Sequence, residues 1–211
     1  MAARLLLLRH GQSTWNAQGR WQGWSDPPLS DLGREQAAEV GARLREAGAG
    51  LGLVDVAASD LDRARSTAAI LAGAAGLGPV TVDPDLREYD VGDWEGLTRP
   101  EIEAGWPTQL QAWREGRLLA TPGGETRSAF LARIGAALGR AGRAHTVATP
   151  GLIVTHGGVI RAAEQTAGGN RSGVIDNLAG RWFTVEDDGR LRAGERAAFL
   201  ATPHRTSPPS P

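Results

Sequence analysis

Six residues of this chain combine types and settings that could do chemistry on an anion. Arg9 and His10 close the stretch LLLLRHG, and His156 and Gly157 follow GLIVT. Arg63 lies early in SDLDRARSTA, and Glu88 lies in LREYDVGDWEG, just after the short apolar VTV. A neutral imidazole flanked by guanidinium groups suits attack on a phosphoryl group. The cations neutralise the equatorial oxygens and stabilise charge in the transition state. They also disfavour the imidazolium, which keeps a nucleophilic nitrogen unprotonated at neutral pH. A leaving alkoxide then needs a proton, and Glu88 is the best-placed donor. Gly157 should open a helix, whose free backbone N–H groups favour an anion. A metal centre is the competing account of two histidines with carboxylates. It fails on detail, because the sequence has no HxH and no HExxH and the cluster is rich in arginine. The expectation is an anion pocket without metal or cofactor.

Taken singly, each residue has a plainer reading. One histidine after a strand is more often a hydrogen-bonded structural residue than a catalyst. Arg63 could be a solvent-facing arginine, although a cation early in a helix opposes the macrodipole and needs another reason to be there. Glu88 could be a surface carboxylate. What weighs against these readings is the repetition: His10 and His156 occupy matching places, each after an apolar strand and each followed by glycine. Arg65 and Arg87 are expected to be surface or structural residues, and His145 and His204 are given no role.

The elements that would position these groups can be read from the pattern. Four adjacent leucines have no amphipathic period, so LLLL fits a strand buried on both faces, as in a parallel sheet. Ligands in such sheets sit outside the carboxyl ends of the strands. Ser30 is the candidate N-cap of a helix with an Ala37, Val40 and Leu44 stripe that Gly48 can end. VDVAAS (54–59) is a second strand, a helix runs from about Leu61 through Leu71, and VTV (80–82) is a third strand. Thr98, Pro100 and Glu101 mark a helix start by capping-box spacing. A longer helix covers Glu125 to Gly142, and GLIVT (151–155) is another strand. An Asp-Gly turn within WFTVEDDGRLRA implies a closing hairpin. This alternation implies one three-layer α/β/α sandwich with a mostly parallel central sheet over residues 1–201, and PHRTSPPSP makes 202–211 a disordered tail on composition.

Composition narrows the chemistry further. The 211 residues suit one domain with a real core, and there is no cysteine for disulfides or thiolate metal sites. All 23 basic residues are arginine, which excludes Schiff-base chemistry and a P-loop lysine. Any anion must therefore be held by guanidinium groups, which grip phosphate bidentately. A net charge of −1 gives no field for nucleic acid, and no apolar run approaches a membrane span or a signal peptide. The expectation is a cytoplasmic protein acting on a small molecule, with neither nucleic acid nor membrane as partner; a homodimer is compatible with the sequence.

The ordered segments LLLLRHGQSTWN, SDLDRARSTA, LREYDVGDWEGL and VTHGGVIRA resemble the histidine phosphatase superfamily, the phosphoglycerate mutase-like proteins. The likeness runs from about Arg4 to about Phe199. It implies that His10 is phosphorylated, that Arg9, Arg63 and His156 form the phosphate pocket, and that Glu88 donates the proton. It further implies that Asn16 and Gln22 reach the phosphate or the substrate. GWSDPPLSDLG is shared in style with true mutases. LREYDVGDWEGL, GDWEGLT and PGGET instead resemble the phosphatase branch, including broad-specificity and glucosyl-3-phosphoglycerate phosphatases, and the Glu88–His156 segment lacks the mutase insertion. The resemblance thus implies a metal-independent phosphomonoesterase acting on a sugar phosphate or phosphoglycerate derivative. A cofactor-dependent phosphoglycerate mutase is the alternative. A catalytically silent phospho-ligand module is a third reading, disfavoured because His10 and Glu88 are both present. Seven tryptophans stand against one tyrosine. Trp15, Trp21 and Trp24 crowd the loop after the nucleophile, and Trp94, Trp106 and Trp113 are expected in a lid. Most should serve packing, with one or two free to stack on substrate.

Overall fold

A computed structural model describes residues 2–47, 50–169 and 173–200. Its centre is a six-stranded sheet in the order β3-β2-β4-β1-β5-β6. Four strands are mutually parallel: β1 (Ala3–Arg9), β2 (Val56–Ala58), β3 (Val80–Val82) and β4 (Gly151–Thr155). The hairpin β5 (Ala179–Val185) and β6 (Leu191–Ala198) adds two antiparallel strands beside β1.

The leucine run explains the layering. Successive side chains on a strand point to opposite faces. Leu5 and Leu7 enter one core with Ile153 and Phe183, while Leu6 and Leu8 enter the other with Leu152 and Val154. All four leucines are fully buried. Helices α2 (Asp31–Ala47) and α3 (Asp62–Ala75) cover the second face through Ala37, Val40, Leu44, Ala64, Ala68 and Leu71. The first face is covered by α6 (Arg127–Ala144) and α7 (Gly157–Thr166), with Phe130, Ile134, Val159 and Ile160 packed inward. The result is the three-layer α/β/α sandwich expected from the alternation.

Local signals behave as their chemistry requires. Ser30 Oγ accepts the Gly33 N–H at 3.0 Å, capping α2. Thr98 and Glu101 form a capping box at the start of α4 (Arg99–Gly105). The differences are instructive. Strand β2 is confined to three residues, because Val54 is solvent-exposed and the paired register begins at Val56. Helix α3 runs on to Ala75, past the last large apolar residues of its stripe, and ends at Gly76 with φ 72°. Two short helices, α1 (Thr14–Ala17) and α5 (Pro107–Arg114), were not signalled by periodicity; α5 buries one leucine, Leu110. The expected helix end at Gly48 and the 202–211 tail lie outside the described residues.

Trp94 is a correction. It is fully buried in the first-face core, edge-on to Trp21 with ring centroids 5.5 Å apart, and so belongs to the core instead of a lid. Trp106 and Trp113 pack against the same core. His145, given no role from sequence, is held between the Ala141 carbonyl and Asp55, 2.8 Å from each.

Candidate active site

Strands β1 and β4 are parallel neighbours, with Arg9 opposite Thr155, and the His10 N–H donates to the Thr155 carbonyl at 2.9 Å. The next residue on each strand is a histidine, so the two rings leave the sheet together. Their centroids lie 5.2 Å apart, and both side chains are buried. His10 Nδ1 lies 2.7 Å from the Gly11 carbonyl oxygen. A carbonyl can only accept, so in the neutral ring Nδ1 carries the hydrogen and Nε2 keeps the lone pair.

The backbone around His10 is clamped on several sides. Asn177 donates its side-chain amide to the His10 carbonyl at 2.9 Å, and the Leu178 N–H donates to the Arg9 carbonyl at 3.0 Å. Leu178 adopts φ 55°, a strained setting for a leucine beside Asn177, which bonds the His10 carbonyl. The Gly11 N–H donates to Thr67 Oγ1 at 3.0 Å. A Cβ on Gly11 would lie 2.6 Å from the Gly33 carbonyl oxygen, so this loop approaches α2 more closely than any side chain allows.

Arg9 leaves the end of β1 and donates to the Ile175 carbonyl at 2.6 Å. Arg63, on the first turn of α3, donates to the Ser25 and Gly23 carbonyls at 2.7 and 2.8 Å. Its nearest carboxylate is Asp26, 3.8 Å away, and its buried Nε has no hydrogen-bond partner among the described residues. Burial is the main reason that both guanidinium pKa values are lowered to about 10. Both histidines titrate well below the ordinary 6.5: burial is the largest cause, Arg63 the next, and Arg9 adds to each. Among the described residues, neither ring nitrogen of the buried His156 finds a hydrogen-bond partner. The two buried imidazoles thus lie in a cationic, largely desolvated cluster whose surroundings favour their neutral form.

Glu88 approaches from the other side. One carboxyl oxygen accepts its neighbour's Tyr89 N–H at 2.9 Å; the other accepts the Gly158 N–H, in the first turn of α7, at 3.0 Å. A Cβ at Gly158 would sit 2.0 Å from Glu88 Oε1, so any side chain there would displace the carboxyl group. At Gly157 a Cβ position is 3.7 Å from Arg9 Cδ, so the helix start lies against the arginine. Asn16 is buried, and its Oδ1 receives both the Ser13 N–H and the Asn177 amide. Gln22 accepts from Ser13 Oγ at 2.6 Å and immediately precedes the turn that holds Arg63. All eight residues picked out from sequence are thus brought to one region. Arg65 and Arg87, set aside from it, pair with Asp62 and Asp60.

Sequence reasoning missed several supports. Arg133 on α6 donates to the Glu88, Arg87 and Asp85 carbonyls and forms a two-pronged pair with Glu125. Trp24 Nε1 also donates to the Glu88 carbonyl, at 2.9 Å. The one sequence signal for Thr67 is its helical i+4 spacing from Arg63, to whose carbonyl its hydroxyl donates. Asn177 carried no local signal. Among the described residues, no group of three or more His, Asp or Glu could hold a metal ion, and no helix is long and apolar enough to cross a membrane.

The fold is an α/β/α sandwich that gathers its buried His10–His156 pair at the carboxyl ends of adjacent parallel strands. The chain belongs to the histidine phosphatase superfamily (branch 1), whose family model matches residues 5–185. A glucosyl-3-phosphoglycerate phosphatase of Mycolicibacterium vanbaalenii is 45% identical over 127 residues, spanning 59% of this chain and 53% of that protein. A protein of Salmonella paratyphi B named probable phosphoglycerate mutase GpmB is 40% identical over 160 residues, 73% of this chain and 69% of its own. The structure of mycobacterial glucosyl-3-phosphoglycerate phosphatase complexed with VO3 superimposes with a TM-score of 0.75 at 33% identity, covering 95% of this chain and all of that one.

Proposed function

We propose that this protein is a phosphomonoester hydrolase that works through a phosphohistidine on His10. The observation that carries the reading is the locked His10 ring, with Nδ1 directed to the Gly11 carbonyl and Nε2 left as the nucleophile in an arginine-rich cluster. The phosphoryl group would lie against Arg9, Arg63, His156 and the Gly157 end of helix α7. Nε2 attacks phosphorus and forms the N–P bond as the ester P–O bond breaks. The departing oxygen takes a proton from Glu88, and the alcohol leaves. Glu88, now a carboxylate, removes a proton from water, whose oxygen attacks phosphorus. The N–P bond breaks, inorganic phosphate departs and Glu88 is protonated again. The Gly158 N–H, bonded to Glu88, ties the carboxyl group to the same helix start. The cations the reaction needs are guanidinium groups, so the activity is read as metal-independent.

The matches to glucosyl-3-phosphoglycerate phosphatases support a small phosphorylated metabolite as substrate, a sugar phosphate or phosphoglycerate derivative. The match to a protein named as a mutase sustains the second reading, cofactor-dependent phosphoglycerate mutase. Supplying 3-phosphoglycerate with and without 2,3-bisphosphoglycerate separates the two. Phosphate release that ignores the primer is the expected result. Primer-dependent isomerisation outpacing phosphate release would overturn the hydrolase assignment.

A further inference from the structure

The motif GDWEG carries a second glutamate, Glu95, that the chemistry above does not use. Trp94 anchors the segment in the core, and Glu95 turns the other way, toward the loop after the nucleophile. Its Oε1 accepts the Trp24 N–H, 2.5 Å away; its Oε2 accepts the Ser25 N–H at 3.1 Å and the Ser25 hydroxyl at 2.5 Å. Every bond made by this carboxylate therefore falls on residues 24 and 25. The carbonyls that bracket this pair, Gly23 and Ser25, are the two that receive Arg63. Gly23 has φ 50°, and a Cβ there would lie 2.3 Å from Glu95 Oε1, so the turn is closed directly onto the carboxylate. The outer side of the same turn is tied to α3, where Asp26 accepts the Asp62 N–H at 2.7 Å.

We infer that Glu95 is a positioning residue for Arg63: it holds the 23–25 turn in the one conformation that aims both carbonyls at the guanidinium. A surface loop could otherwise rotate these peptides toward water. Arg63 would then lose the two neutral acceptors that fix its plane without neutralising its charge. The use of carbonyls matters, because a close carboxylate partner would quench the cation that the phosphoryl group needs. Glu95 thus supplies order to Arg63 from a distance. This inference rests on the reading that Arg63 holds the phosphoryl group.

The test compares Glu95→Ala, Glu95→Gln, Arg63→Ala and the Arg63→Ala/Glu95→Ala double variant, with Ser25→Ala as the mildest probe of the same link. Vanadate inhibition and the KM and kcat for an aryl phosphate are measured on each, alongside thermal unfolding. Glu95→Ala should raise the vanadate inhibition constant and KM by about 10-fold, the order of one lost charge-assisted contact, with a smaller fall in kcat. Glu95→Gln keeps one acceptor and should recover part of the loss. Ser25→Ala, losing one hydroxyl bond, should move the same constant in the same direction by a few-fold. In the double variant, removal of Glu95 should add nothing to the loss from Arg63→Ala. Multiplying effects, or unchanged vanadate inhibition in the Glu95 and Ser25 variants, would overturn the inference. Should Arg63→Ala itself leave vanadate inhibition intact, the reading of Arg63 as a phosphate ligand fails instead. If Glu95→Ala does not fold, Ser25→Ala and Glu95→Gln decide the matter by the same criterion.

Discussion

The two sides of the site are built differently. His10 and His156 stand on the ends of adjacent parallel strands, and their relative position follows from the β1–β4 register, with Arg9 and Thr155 paired just before them. Arg63 and Glu88 come from a helix start and an irregular segment, and each needs support from elsewhere. Arg63 is held by the turn at 23–25, which Glu95 braces across 70 positions of sequence. Glu88 is held by Arg133, from 45 positions away, and by Trp24. Groups placed by the sheet are set by shared backbone register and buried leucines, to which Asn177 and Thr67 add side-chain bonds around His10. Groups placed by loops are only as well oriented as their few long-range bonds. Substitution at supports should therefore harm the loop-borne side selectively.

The largest expected effect lies on the sheet-borne side. His10→Ala removes the nucleophile while leaving β1 and its pairing intact, and should lower turnover by about 10⁴-fold or more, with unfolding temperature little changed. Ordinary turnover in that variant would break the comparison at its root and make His156 the first suspect. On the loop-borne side, Arg63→Ala should cost about 10²–10³-fold in kcat/KM. It should also move the acid limb of the pH profile. Burial first, then Arg63 and Arg9, hold the His10 pKa well below 6.5. Wild-type activity should therefore persist below pH 6.5, once the ester's own titration is allowed for. Removing Arg63 lets the pKa rise, so activity in the variant should fail at a higher pH. An acid limb that stays in place would show that Arg63 does not face the nucleophile.

The smallest effect sharpens the comparison most. Arg133 acts on Glu88 through its carbonyl, so Arg133→Ala should slow alkyl phosphate hydrolysis by about 10-fold and leave vanadate inhibition nearly unchanged. A nitrophenyl ester, whose leaving group needs little protonation, should be slowed much less. Equal loss on both esters, with weakened vanadate inhibition, would mean that Arg133 supports the whole pocket and not the proton donor.

The same division explains what could be read from sequence. Buried parallel strands are written as continuous apolar runs, so LLLL and GLIVT betrayed both their elements and the histidines at their ends. The N-cap at Ser30 and the capping box at Thr98 were legible because each is a local chemical rule. Arg63 and Glu88 were found by residue type and family likeness, but nothing local pointed to their supports. Glu95 and Arg133 act across segments that only the fold brings together, and charged residues in an arginine-rich chain carry no mark of burial or purpose. Trp94 is expected in a lid with Trp106 and Trp113, and nothing local in the sequence marks it for the core. In the fold it points into the core and leaves Glu95 to face the turn.

The central claim is that His10 Nε2 takes the phosphoryl group. Rapid quenching during turnover of a phosphate ester into alkaline denaturant, followed by phosphorus NMR and peptide mass mapping, tests it most directly. The account predicts an acid-labile, alkali-stable phosphoryl group on the His10 peptide at Nε2, absent from His10→Ala. Phosphate found on His156 or on an oxygen nucleophile, or steady turnover with His10 never labelled, would contradict it.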